Sequence, residues 1–407
     1  MLLALLAISL APLPLSAIAQ AQPQKRGHYL FVWNGDQDKK GNSFLAVINA
    51  DPASPGYGKL VTSAATDQTA MNPHHTEYQM SASGMLFAND HGANRTFVFD
   101  LRDPLKPRVS ASFGSLGGFG MPHSFARLPN GNVLASFQYP DHGSHHGAAM
   151  AMSGKSGGLV EIDDHGRAVR SVSNADPTYG DEGLLPYSLA ILPEIDRVIV
   201  TNSPMGDDYL LTSNTYQLFR LSDLQLLGTH RFDPGPRLNG HISPEEPRIG
   251  PDRAAYVQTL SCGIQRVTGM DGPTPGARLV HQFPGSWCGV PTIVDHYLVQ
   301  SVPAIHGFIV LDIADGDRPV EVSRLTISDS FDAHWTAWDP VSRRLVVTSG
   351  KAGDRMYLLK LNPEDGALTI DDAFRDTDGK PGFSFAKRSW PHGWNGEGRP
   401  HGAVFSR

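Results

Sequence analysis

The sequence is poor in the features that mark the commonest function classes. It has two cysteines, Cys262 and Cys288, in 407 residues, so no cysteine-rich metal module or dense disulfide scaffold can be built. It has no excess of positive charge: the formal net charge is −7 and the pI is near 6.2, which excludes the basic footprint of a nucleic-acid binder. No P-loop, dinucleotide fingerprint or nucleophile elbow occurs. Beyond the first residues there is no apolar run long enough to cross a bilayer. The acidic pairs Asp36/Asp38 and Asp371/Asp372 read as solvated loops.

What apolar run there is lies at the start, from Leu2 to Leu15, followed by Ala17-Ile18-Ala19. This is the pattern of a secretory signal with an A-x-A cleavage site. Pro12, Pro14 and the short length argue against a spanning helix. Residues 1–21 are therefore expected to be a signal peptide and 22–407 a single domain, periplasmic or secreted and without a membrane span. In such a compartment Cys262 and Cys288 most simply form a disulfide. Two soft metal ligands, pocket residues or inert thiols are the alternatives.

Forty-two glycines and 31 prolines imply frequent turns, and one unit recurs between them. A polar or histidine residue opens an apolar strand, a turn follows, and a second strand ends in small residues. Copies begin at His75, His123, Tyr187, Glu245, Gly289 and His334, at spacings of 48, 64, 58, 44 and 45 residues. A second strand pair follows most copies. Repeats of this length with four strands each predict the blades of a β-propeller. A last opening strand follows His401, and the three strands near residues 29–33, 43–49 and 59–64 lack an inner partner. Joining the termini completes a seventh blade and removes the exposed edges. The fold expected is all-β, a seven-bladed propeller whose last blade is closed by N- and C-terminal strands. Six blades is the alternative if the short fifth unit is incomplete.

The innermost strand of each blade lines the central channel, so the opening residues should converge there: His75, His123, Tyr187, Glu245, Gly289, His334 and His401. His74 adjoins the ring. It can join only if the chain is irregular at Pro73, because successive strand residues face opposite sides. Converging neutral imidazoles offer nitrogen lone pairs to a borderline transition metal, and copper, zinc, iron and nickel all suit them. Carboxylate is too scarce for calcium. Glu245 and Glu246 are candidate proton carriers. His334 and His392 are candidate additional ligands or supporting residues. A loop with His142, His145, His146, Met150 and Met152 is a candidate accessory metal site, and His with Met suits copper.

The stretches LAVINADPASPGYGKLV (45–61), PHHTEY (73–78), TFVFDLRDPLKPR (96–108) and GGLVEID (157–163) resemble the selenium-binding protein family. The resemblance implies the same seven-bladed fold and, from its bacterial branch, copper-dependent oxidation of methanethiol by dioxygen to formaldehyde, hydrogen sulfide and hydrogen peroxide. It places the copper ligands at His74, His75, His123 and a C-terminal histidine, His401 with His392 as competitor. Gly58 stands where selenium-binding members carry a cysteine, and the ending WPHGWNGEGRPHGAVFSR departs from theirs. Selenium binding through that thiol is therefore not implied. The competing readings are a non-catalytic propeller that holds metal or presents an interaction face, and a propeller lactonase.

Overall fold

A computed structural model describes residues 27–141, 155–180, 183–205, 214–236 and 242–407. The expected signal segment and the His142/His145/His146 loop lie outside the described residues. No described helix is long and apolar enough to cross a membrane.

Seven antiparallel sheets follow one another around an axis; six have four strands, and the sixth blade carries a fifth, short strand, Phe383–Ser384, paired to its third. Their inner strands are Pro73–Thr76, Phe119–Arg127, Pro186–Leu192, Pro244–Ile249, Pro291–Val294, Ala333–Asp339 and Gly398–Phe405. The short fifth unit is a full blade, with four strands from Pro291 to Thr326, so the count is seven. The last blade is built from both termini: Gly398–Phe405 pairs with Tyr29–Asp36, with Phe31 opposite Val404. Asn42–Asn49 and Leu60–Thr69 complete it outward.

Burial explains the pattern within a blade. Middle strands are covered by a neighbouring blade on each face and read as apolar runs, as in Arg197–Asn202 and Tyr297–Val302. Outer strands alternate, as in Val320–Thr326, where every second residue is exposed. The core is accordingly a series of apolar clusters between blades, such as Phe31, Trp33, Phe97 and Phe99 between the last blade and the first.

Cys262 and Cys288 are bonded, with their Cα atoms 4.9 Å apart. Both are buried and tie the fourth blade to the segment leading into the fifth. The bond closes a loop with a sequence separation of 26, which in the chain-entropy account is worth about 3 kcal/mol. Replacing both cysteines with alanine should lower stability by about that amount in urea unfolding, without changing the blade count.

Candidate metal centre

The inner strands share an irregularity that makes the site. In six blades the register slips by one residue where the strand reaches the axis: between Pro73 and Thr76, Pro122 and Phe125, Pro186 and Leu189, Pro244 and Pro247, Ala333 and Trp335, and opposite Val32/Asn34 at Pro400–Ala403. Each is a bulge with the extra residue on the inner strand, a device that re-aims side chains. Proline, which cannot donate to the ladder, precedes five of them: Pro73, Pro122, Pro186, Pro244 and Pro400.

The bulges give the axis two rings rather than one. The residue after the proline supplies the first: His74, His123, Tyr187, Glu245, His334 (after Ala333) and His401. The next residue supplies the second: His75, Ser124, Ser188, Glu246, Trp335 and Gly402. This corrects the register read from the sequence, in which His75 was the equivalent of His123. His74 holds that place, and His75 belongs with Ser124 and Glu246. Gly289 precedes its inner strand and carries no ring side chain. A Cβ there would lie 2.4 Å from the His334 carbonyl.

Where the rings meet, histidines cluster. The ring centroids of His74 lie 4.3 Å from His75, 4.9 Å from His123 and 4.2 Å from His401; His75 and His123 are 4.4 Å apart. His74, His75 and His123 each offer a nitrogen such that all three lie within 4.8 Å of one another. His74 Nε2 and His123 Nε2 are 3.0 Å apart. Two nitrogens at that separation would both reach a single ion placed between them. His401 abuts the trio through His74, and His334 lies beyond it, 4.4 Å from His401 between centroids.

The electrostatics fit a metal. Burial, and then mutual repulsion of charge among the rings, holds His74, His75 and His401 well below the usual histidine range. Burial also lowers His123, and brings His334 to about 4. The imidazoles are therefore neutral at pH 7, as ligands must be. His123 Nδ1 lies 2.8 Å from the Tyr187 carbonyl, so it carries the proton and donates it. Its Nε2 is left with the lone pair, the arrangement usual for a metal-binding histidine. The Nδ1 atoms of His75, His334 and His401 are buried without a hydrogen-bond partner. A donor set of neutral nitrogens suits a borderline transition ion rather than calcium or magnesium.

The four histidines are buried to different degrees. His75 and His123 are 1% and 0% exposed, while His74 and His401 retain 6% and 7%. Tyr78 stacks on Trp335 of the second ring, 4.6 Å apart and nearly parallel, and Trp335 lies 5.1 Å from His75 between centroids. The Arg248 guanidinium covers Tyr78 at 3.8 Å. Glu245, in the first ring, accepts from Gln258 Nε2 at 3.0 Å. Burial pushes its carboxyl up to about 8.

His392 is not at the centre. Its ring nitrogen bonds Ser63 Oγ at 2.7 Å, on the outermost strand of the last blade, and it packs on Phe44 and Trp394. The hairpin that carries it leaves the inner strands before the chain returns at Gly398. The sequence reading missed His91, buried 5.9 Å from His74 and 5.5 Å from His123 between centroids and bonded to Gln138 Oε1. It sits in a short 3₁₀ turn between strands, away from the repeated opening position, so the repeat could not single it out. Gly58 has φ +81°, and a Cβ there would meet the Arg375 backbone at 2.5 Å. A cysteine would not fit there without backbone movement.

No family model matches the chain. Methanethiol oxidase from Hyphomicrobium sp. is 28% identical over 194 residues, covering 45% of this chain and 40% of that protein. A hypothetical selenium-binding protein from Sulfolobus tokodaii superposes with a TM-score of 0.71 at 15% identity, over 95% of this chain and 94% of that one. The chain resembles the selenium-binding protein family. It thus spans less than half the length of the curated relative it matches. The periplasmic gluconolactonase of Pseudomonas aeruginosa also superposes, with a TM-score of 0.62 at 12% identity over 93% and 99% of the two chains. At such identities the structural likenesses speak for the propeller alone.

Proposed function

We propose that this selenium-binding-protein-type propeller is a copper-dependent oxidase of a small thiol, converting methanethiol, dioxygen and water to formaldehyde, hydrogen sulfide and hydrogen peroxide. The observation that carries the reading is the buried trio His74, His75 and His123 with His401 against it. The sequence likeness to methanethiol oxidase supports the reaction class. Copper held there would supply a soft Lewis acid for a thiolate and one-electron exchange with dioxygen.

The protein's own groups do the rest. His74 and His401 are the less deeply buried of the four histidines, and a substrate would meet them first. The Tyr78–Trp335 stack packs against His75 and gives that imidazole an apolar wall. Glu245 holds its proton at neutral pH and is the carboxyl suited to exchange one with substrate or product. Export to the periplasm or beyond belongs to the same reading. The buried Cys262–Cys288 bond supports it, since such bonds persist in oxidising compartments.

The purified protein, loaded with copper and freed of excess, should carry about one ion per chain and release hydrogen sulfide and peroxide from methanethiol. Metal-free protein should release neither. Copper binding without product would leave a metal-holding propeller in its place, and absence of any tight ion would remove the metal reading itself.

A further inference from the structure

A carboxylate, that of Glu246, faces the His75 imidazole of the trio, and neither facing atom is satisfied. Glu246, in the second ring, is 1% exposed. Its Oε2 accepts from Tyr78 Oη at 2.8 Å, Ser188 Oγ at 2.7 Å and Arg248 Nη1 at 3.2 Å. Its Oε1 is buried and unpartnered, and so is His75 Nδ1, 3.7 Å away. That gap is too long for a hydrogen bond and too short to admit a water between the two atoms.

We propose that Glu246 is a positioning residue of the centre: its Oε1 accepts from His75 Nδ1–H and so fixes the tautomer whose Nε2 lone pair faces the ion. The inference rests on reading the trio as a metal site. His123 supplies the precedent within the molecule, its Nδ1 held by the Tyr187 carbonyl. Glu246 does for His75 what that carbonyl does for His123. Its aim is fixed from behind. Arg248, which grips Oε2, is itself pinned by the carbonyls of Pro291 at 3.0 Å and Pro247 at 2.9 Å and by the Tyr78 ring. Three donors on one oxygen leave the other as the free acceptor. A shift of under about 1 Å brings it to hydrogen-bond distance of Nδ1.

The test uses the amide as a reversed probe. In Glu246→Gln the carbonyl oxygen must take the place of Oε2, because Tyr78, Ser188 and Arg248 all donate. The NH2 then faces His75 Nδ1 as a donor and favours the opposite tautomer. In ¹⁵N-histidine spectra of the metal-free full chain, His75 should carry its proton on Nδ1 in the parent and on Nε2 in E246Q, with His123 unchanged. Copper affinity, measured by chelator competition, should fall about 10–100-fold, as when such supporting partners of metal ligands are removed. Glu246→Asp keeps the charge beside Arg248 but withdraws the carboxylate by one methylene. It should lose copper affinity in the same range, and it serves if E246Q does not fold. An unchanged His75 tautomer in E246Q overturns the proposal. So does an affinity within about 2-fold of the parent in whichever variant folds. Failure of the metal reading is seen separately, as a parent protein that binds no copper or a His123→Ala variant that binds it as tightly.

Discussion

Replacing His123 with alanine should remove the ion and thiol oxidation together while the propeller stays folded. His123 is fully buried, and its Nε2 lies 3.0 Å from that of His74, so its loss opens the compact trio. Removing a group that merely supports a ligand typically costs 10–100-fold in metal affinity. Loss of a ligand should therefore exceed about 100-fold. The structural cost is modest. The Tyr187 carbonyl that loses His123 still accepts from Ser136 Oγ at 2.7 Å, while His74 Nε2 loses its partner, a cost of about 1–3 kcal/mol. The blade is held by its own four strands. Elemental analysis after dialysis, a methanethiol consumption assay and circular dichroism check the three parts. A variant that keeps its copper would show that the trio is not the site.

The metal-free protein should lose stability steeply below pH 6.5. Five imidazoles, those of His74, His75, His123, His334 and His401, have folded-state affinities for protons lowered by burial. In the unfolded chain each titrates near 6.5. Below that pH the unfolded state takes up protons that the folded state refuses, so stability falls as pH falls, and it is fully present above 6.5. The five groups act in the same direction, so the loss should be steep. Set against a typical stability of about 5–15 kcal/mol, acidification should lower the urea midpoint markedly. Urea midpoints at pH 7.5, 6.5 and 5.5 measure it. A flat profile would mean that the imidazoles are protonated in the folded state. Bound metal should shift the loss to lower pH, because protons compete with it for the same nitrogens.

Much of this architecture was legible in the chain order of residues. The blade repeat shows because every blade solves the same burial problem, with a polar opening at the axis and apolar strands between neighbours. Terminal closure follows from counting strands: an opening strand after His401 with nothing to follow it, and three strands before His74 with no inner partner. Convergence of histidines from separate blades follows from the repeat alone.

Depth and register were decided only by the tertiary structure. A strand alternates faces every residue, so a shift of one position sends a side chain to the other side. The repeat cannot show which of two adjacent residues faces the axis. The bulges break that alternation and let both face it, placing His74 level with His123 and lowering His75 beside Glu246. The prolines before five of the bulges are visible in the sequence, but the bulge itself is a property of pairing with the next strand. His392 and His401 stand nine residues apart in similar Pro-His-Gly settings, and only the apolar strand after His401 separates them in the sequence. One is carried out to Ser63 on a rim hairpin, and the other returns to the axis on the closing strand. The clamp of Tyr78, Ser188 and Arg248 on Glu246 joins three blades. Contacts of that kind depend on where the ring closes, which the spacing of residues along a chain does not record.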